Sequence, residues 1–321
     1  MKSICFVTPY FGVLPSNFQL WLNSCESNPT VNWLIFTDDK TSFDYPNNVL
    51  VYHISFEQLI RRISSFYDFE ISINQPFKIC DFRPAYGDIF RAELEGYDFW
   101  GYCDVDLIFG NIRSLITDDI LTAYDKILTR GHLTLFQNSE MLKKIYKREI
   151  NGTESYKQVF QSSEHYSFDE WGGANNNINH ICLACDVPVY NEIIFSDIYV
   201  GKFAFYPYQL MKQEAHISPS VYIWQSGDGR LYRYYVNNLS GTLCREEILY
   251  LHLQKRNMRI HPNCLRADCI LIKPNEYTAH NGEITVDFVR EAGKDKLIYP
   301  DFVKLRIKNL KRKIRKLLAR G

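Results

Sequence analysis

The sequence predicts an α/β protein with a mostly parallel, helix-flanked sheet, continued by a β-rich C-terminal portion and a terminal amphipathic helix. Three observations lead there. Strand-like and helix-like runs alternate through the first third of the 321 residues, the order expected of βαβ units. Acidic groups recur where strands should end, the edge at which such sheets bind ligands. Hydrophobic residues make up 46% and aromatic residues 15%, ample for a large core and incompatible with a largely disordered chain.

The elements follow in order. Ile4–Thr8 reads as a strand stopped by Pro9, with Gly12 and Pro15 marking a loop. Asn17–Cys25 reads as a helix whose apolar face carries Phe18, Leu20, Trp21 and Leu22. Asn32–Phe36 and Val49–Ile54 are the next strands, and Phe56–Ser64 a helix capped by Ser55. Asp81–Leu94 is expected to be helical beyond Pro84. Residues 111–165 read as mainly helical, interrupted by the strand His132–Phe136. Between 200 and 275 five runs alternate as strands: Phe203–Tyr206, Val221–Gln225, Leu231–Val236, Ile248–Leu253 and Cys269–Ile272. Ser226-Gly-Asp-Gly229 forms a hairpin turn between two of them. No repeat or low-complexity linker interrupts the chain. The expectation is one body over 1–300 with a tail over 301–321.

Charge is uneven. Formal net charge is zero, but residues 302–321 hold nine Lys and Arg and no acid, leaving 28 basic against 37 acidic residues over 1–301. A body so acidic is a poor nucleic-acid binder, and no nucleic-acid partner is expected. Nine scattered cysteines, several in apolar runs, suit free thiols in a reducing cytoplasm. Met1-Lys2-Ser3 leads straight into a strand without a signal peptide, and no run approaches the roughly 18 apolar residues of a membrane span. Cys182-Leu-Ala-Cys185 has the spacing of half a zinc site, but no second pair matches, and a helix with two buried thiols is the simpler reading.

Phe99–Gly110 carries the strongest chemical signal. It reads as an aromatic-rich buried strand ending in Asp104 and Asp106, whose carboxylates would share a face while Val105 packs inward. Two carboxylates that close repel, and an oxygen-preferring divalent cation neutralises them. Two solvated acids at a strand end are the alternative.

Five segments together are similar to the metal-dependent GT-A glycosyltransferases, particularly a bacterial family found with capsule and O-antigen surface-polysaccharide genes. They are Val7–Gly12, Phe36–Asp39, Lys78–Gly87, Trp100–Gly110 and Leu251–Arg256. The resemblance implies a GT-A, Rossmann-type fold, with a nucleotide-sugar-binding half over about 1–110 and an acceptor half over 111–300. It implies Mn²⁺ or Mg²⁺ held against the diphosphate of a nucleotide-sugar donor, most simply a UDP-sugar. Carried over, Asp106 is a direct metal ligand, Asp104 binds metal or ribose, and His252 is a late third ligand. A core histidine bonded to a backbone carbonyl is the other reading of His252. Lys255 and Arg256 would meet the diphosphate, Thr8, Pro9 and Tyr10 the nucleoside, and Asp38 or Asp39 the base or ribose. Asp38-Asp39-Lys40 reads equally as a polar turn. Lys78, Asp81 and Arg83 would line the donor pocket, with a structural Arg83–Asp81 pair as the competing view.

A second acidic cluster lies at Ser167-Phe-Asp-Glu-Trp-Gly-Gly-Ala-Asn-Asn-Asn177, a composition suited to sugar: an aromatic face, amides and glycines. Asp169 and Glu170 are candidates for the base an inverting transferase needs, or else capping acids of a loop. In the tail, Val303, Ile307, Leu310, Ile314, Leu317 and Leu318 trace one helical stripe among the cations. Such a helix suits an anionic membrane surface, with docking on the acidic body or on nucleic acid as alternatives. The expectation is therefore a cytoplasmic glycosyltransferase, peripheral on the inner face of the cell membrane, acting on a glycan or lipid-linked glycan acceptor. The competing functions are a Mg²⁺-dependent nucleotidyltransferase, which would normally show a glycine-rich phosphate loop that Val7–Gly12 lacks, and a non-catalytic glycan-binding module.

Overall fold

The computed structural model describes residues 1–171, 176–192, 194–198, 204–208, 219–254, 256, 258–294, 303–304, 306–307 and 310–311. The chain forms two compact units, Met1–Ile193 and Ile194–Gly321. Their boundary falls well beyond residue 110.

The first unit is an α/β layer structure. Its strands are β1 (Ile4–Pro9), β2 (Val31–Thr37), β3 (Val49–His53), β4 (Phe99–Cys103), β5 (Leu107–Phe109), β6 (Lys126–Arg130), β7 (Leu133–Gln137) and β8 (Val189–Tyr190). Seven of them form one sheet in the order β3-β2-β1-β4-β7-β6-β8. Strands β1 to β4 run parallel, whereas β7 pairs antiparallel with both β4 and β6. The carboxyl ends of β1, β2 and β4 therefore share one edge, carrying Tyr10, Asp38-Asp39 and Asp104-Val105-Asp106 respectively.

Alternation along β1 feeds two cores. Phe6 stacks on Trp33 with ring centroids 5.8 Å apart, and helix α1 (Phe18–Glu26) adds Trp21, 6.2 Å from Trp33. Cys5 and Val7 face the opposite side, in the cluster that holds Trp100, Tyr102, Phe136 and Phe160. Helix α2 (Phe56–Ser64) covers this side, opened by a capping box between Ser55 and Gln58. Gly101 lies where β4 and β7 meet: a Cβ there would sit 2.3 Å from the Thr134 carbonyl oxygen, so only glycine fits.

Four expectations are corrected here. The strand expected through Asp104 and Asp106 stops at Cys103, and both aspartates occupy a turn before β5, although Val105 is buried as expected. The helix expected beyond Pro84 is one α-turn, Tyr86–Ile89, preceded by a ten-residue 3₁₀ segment, Pro76–Ala85. Residues 111–165 hold a further strand, β6. Its charged ends disguise it: Lys126 is fully buried, with Nζ donating to the Leu128 carbonyl (2.5 Å) and to Asn179 Oδ1 (2.8 Å). A bulge with Leu128 at φ +64° also breaks its alternation. Of the Cys182–Cys185 pair, in and just beyond the helix Ile178–Ala184, Cys182 is buried but Cys185 is exposed; all nine cysteines are free.

The second unit is β-rich. Strand β9 (Phe195–Ile198) pairs antiparallel with β10 (Phe205–Pro207) and parallel with β14 (Tyr250–His252). Six further strands, β11 (Ser220–Gln225), β12 (Leu231–Val236), β13 (Leu243–Glu247), β15 (Arg259–Ile260), β16 (Cys269–Lys273) and β17 (Glu276–Ala279), make one sheet ordered β13-β12-β11-β16-β17-β15. The expected turn at 226–229 joins β11 to β12 as an antiparallel hairpin. The helix Val286–Ala292 packs Val289 against Val221, Ile223 and Leu271. No helix among the described residues is long and apolar enough to cross a membrane.

Candidate active site

Asp104 is fixed through its backbone. Its N–H donates to the His132 carbonyl (3.0 Å), and its own carbonyl accepts from Trp21 Nε1 (3.1 Å). The turn is thus tied to β7 and α1 at once. Asp106 is buried, and one carboxylate oxygen of each aspartate lies within 4.8 Å of the other. Opposite ligands on a six-coordinate Mg²⁺ are about 4.2 Å apart, twice a bond of ~2.1 Å, so the pair fits such an ion after a small adjustment. The donors are hard oxygens, as Mn²⁺ and Mg²⁺ prefer.

Arg83 is the second element of the site. Its Nη2 pairs with Asp104 Oδ1, while Nη1 donates to Asp169 Oδ2 (3.0 Å) and to the Gly131 carbonyl (2.6 Å). The guanidinium also lies over Tyr102, 5.6 Å from its ring centroid. Arg83 thus pairs with Asp104 and Asp169 rather than with Asp81, the competing view. Asp81 instead accepts from Lys78 Nζ (2.8 Å) and from the backbone N–H groups of Tyr166 and Phe168 (3.0 and 3.1 Å). Lys78 further donates to the Val159 and Glu164 carbonyls. Both side chains are wholly buried. Lys78 and Asp81 are therefore no pocket lining; they hold the segment that delivers Asp169.

Asp169 has little contact with solvent. Burial, opposed by Arg83 and reinforced by the neighbouring Glu170 carboxylate, pushes its carboxyl up to about 7. Its backbone carbonyl accepts from the Tyr102 hydroxyl (3.2 Å). Gly131 makes room for it, since a Cβ at that position would lie 2.7 Å from Asp169 Oδ2. Glu170 is half-buried. Gly131 and Tyr102 escaped sequence reasoning; Gly131, alone between two strands, was the available hint.

On the β1 side, Asp38 Oδ1 accepts from the Gly12 N–H (2.8 Å) and Asp39 Oδ2 from the Leu14 N–H (2.7 Å). Those bonds, with others from Thr41, hold the Asp39 carboxyl below its usual range. The polar-turn reading of Asp38 and Asp39 is therefore the structural one: they pin the loop that carries Tyr10. Burial and the carboxylates of Asp106 and Asp39 push the Tyr10 hydroxyl above its ordinary value, which puts Tyr10 in the field of the Asp106 turn. Thr8 is buried, its hydroxyl 3.4 Å from Cys103 Sγ, so its side chain faces the core rather than a ligand; Pro9 ends β1, half-buried.

Within the second unit, His252 on β14 lies in register with Asp197 on β9, with Nδ1 3.3 Å from Asp197 Oδ2. Gln254 Nε2 donates to the same oxygen (3.0 Å). Lys255 lies outside the described residues.

Residues 6–281 match a family of unknown function, DUF6625. No curated protein matches the chain. Among solved structures, mouse xyloside xylosyltransferase 1 is similar at 9% identity and a TM-score of 0.37, over 61% of this chain and 88% of that one. A galactosyltransferase, LgtC, solved with donor and acceptor sugar analogues, is similar at 10% identity and a TM-score of 0.28, over 49% and 66%. The glycosyltransferase GlyE of Streptococcus pneumoniae is similar at 12% identity and a TM-score of 0.30, over 67% and 50%.

The raised carboxyl of Asp169 has a definite consequence for stability. A carboxyl near 7 in the folded chain and near 3.8 when unfolded favours folding below about 3.8, and that contribution disappears as pH rises through 7. Asp169→Asn, neutral throughout, should accordingly gain stability over the parent between pH 5 and pH 8. Urea unfolding at both pH values measures it; an equal difference at the two would contradict the assignment.

Proposed function

We propose that this chain, which belongs to the DUF6625 family, is a metal-dependent glycosyltransferase using a nucleotide-sugar, in the first instance a UDP-sugar. The observation that carries the reading is the Asp104–Asp106 turn at the end of the central strand β4, joined through Arg83 to Asp169. Asp104 and Asp106 would hold Mn²⁺ or Mg²⁺, with His252 the further ligand that the sequence resemblance implies. Bound there, the ion supplies Lewis-acid stabilisation of the departing nucleoside diphosphate. Arg83 holds Asp104 in place and adds positive charge beside it. Tyr10, on its pinned loop, covers the nucleoside. The base that takes the acceptor's hydroxyl proton is sought in Asp169 and Glu170. Glu170 suits the task better, being half-buried while Asp169 is enclosed and committed to Arg83.

The sequence resemblance extends the proposal to a lipid-linked or polysaccharide acceptor in bacterial surface-glycan synthesis, with the enzyme peripheral on the inner face of the membrane. Support for membrane contact comes from the tail. Its described helical residues expose Val303, Ile307 and Leu310 to 45%, 48% and 59%. Ile314, Leu317 and Leu318 lie outside the described residues.

Two measurements test these statements. Hydrolysis of UDP-glucose and UDP-galactose should require Mn²⁺ or Mg²⁺, and Asp106→Ala should lower turnover about a hundredfold or more, the worth of several kcal/mol of charge stabilisation. Unchanged turnover would remove the metal assignment. Flotation with anionic liposomes should retain the full chain and lose a 1–301 truncation; equal flotation of both would remove the membrane role.

A further inference from the structure

We propose that Lys126, acting with Asn179, is a positioning residue for the Asp104–Asp106 turn. The inference deepens the transferase reading and rests on it for its role, since that turn is the proposed metal site. The bonds that carry it lie wholly within the first unit and stand without the ion.

A lysine at the start of a strand normally keeps its charged end in water. Lys126 is fully buried instead, with Nζ 5.3 Å from the Phe136 ring centroid. Both of its hydrogen-bond acceptors are uncharged, the Leu128 carbonyl (2.5 Å) and Asn179 Oδ1 (2.8 Å). Burial accordingly pushes the ammonium down to about 8. A charge enclosed in this way needs an offset, and the adjoining backbone supplies it.

Strand β6 pairs with β7 at Lys126 and Ile127 and next at Arg130, so the bulge leaves Leu128 and Thr129 outside the pairing. Leu128 takes φ +64°, a left-handed conformation that strains a leucine. Both residues are buried, where a carbonyl oxygen without a donor is destabilising. Lys126 donates to the first of these carbonyls, and Asn179 Nδ2 donates to the second, that of Thr129 (3.2 Å). Ammonium and amide also bond each other, so one small network closes the bulge. Thr134 Oγ1 secures its far side by donating to the Arg130 carbonyl (2.8 Å).

The two residues after the bulge hold the site. The Gly131 carbonyl accepts from Arg83 Nη1 (2.6 Å), and the His132 carbonyl accepts from the Asp104 N–H (3.0 Å). How much chain the bulge absorbs decides which carbonyls meet Arg83 and Asp104. Lys126 acts at one remove: it fixes the bulge that aims them.

Amide hydrogen exchange of the full chain, read residue by residue by NMR, tests the assignment. In Lys126→Met the Asp104 amide should exchange about tenfold faster, as loss of one hydrogen bond's worth of local stability requires. The Tyr10 amide, bonded to the Phe36 carbonyl (2.8 Å) on the neighbouring strands, should keep its parent rate. If Lys126→Met does not fold, Asn179→Ala takes its place, with the same local effect expected at smaller size. Mn²⁺ uptake in the presence of UDP, followed by electron paramagnetic resonance, should weaken about tenfold in the variant, as loss of an outer-shell support does. Parent exchange at Asp104, equal acceleration at Asp104 and Tyr10, or failure of both variants to fold overturns the inference. So does Mn²⁺ uptake equal to that of a parent that binds the ion. If the parent itself takes up no Mn²⁺, the transferase reading fails and the amide comparison alone decides the role of Lys126.

Discussion

Arg83 stands between Asp104 and Asp169, and the organisation of the first unit's edge follows from that placement. Two carboxylates in a partly desolvated site repel each other and any third acid nearby. Unit charges ~4 Å apart interact by roughly 4 kcal/mol at an effective dielectric near 20, comparable with a large part of the about 5–15 kcal/mol that holds a domain together. A guanidinium, planar and always charged, can satisfy both carboxylates at once. The Lys78–Asp81 pair performs the same service one layer deeper, where it saturates the backbone of the segment leading to Asp169. One buried ion pair thus positions the chain that carries Asp169, and a second joins Asp169 to the Asp104–Asp106 turn.

This arrangement explains why a carboxylate pair can sit at a strand end without unfolding it. The backbone of Asp104 is tied on both sides, by Trp21 and by His132, so its side chain is presented rather than collapsed. Asp38 and Asp39 act on the neighbouring loop in the same way, spending their oxygens on Gly12 and Leu14. Some acids at this edge therefore shape backbone. In the proposed mechanism Asp106 and Glu170 would meet the ligands.

Much of this was legible in the sequence. Strands β1 to β3 and helices α1 and α2 carry uninterrupted apolar patterns bounded by Pro9, Asn17 and Ser55, so local chemistry suffices to find them. The Asp-x-Asp signal was legible as well, but its strand geometry was not: alternation predicts a shared face, whereas a turn after Cys103 brings the two oxygens together. Pairing partners were the least legible. Arg83 lies two residues from Asp81 in sequence, yet it pairs with acids 21 and 86 positions away. Only the tertiary fold selects among such candidates, because any nearby carboxylate satisfies a guanidinium equally well. β6 was missed because its Lys126 reads as a surface residue in sequence, whereas the fold buries it and lets Leu128 and Asn179 accept its hydrogen bonds.

The central claim is that the Asp104–Asp106 turn grips a divalent cation. Electron paramagnetic resonance of Mn²⁺ titrated into the chain with UDP tests it without any turnover. The account predicts loss of the free six-line signal for one equivalent per chain, and no such loss for Asp106→Ala. Full retention of the free signal by the parent, or equal uptake by the variant, would contradict it.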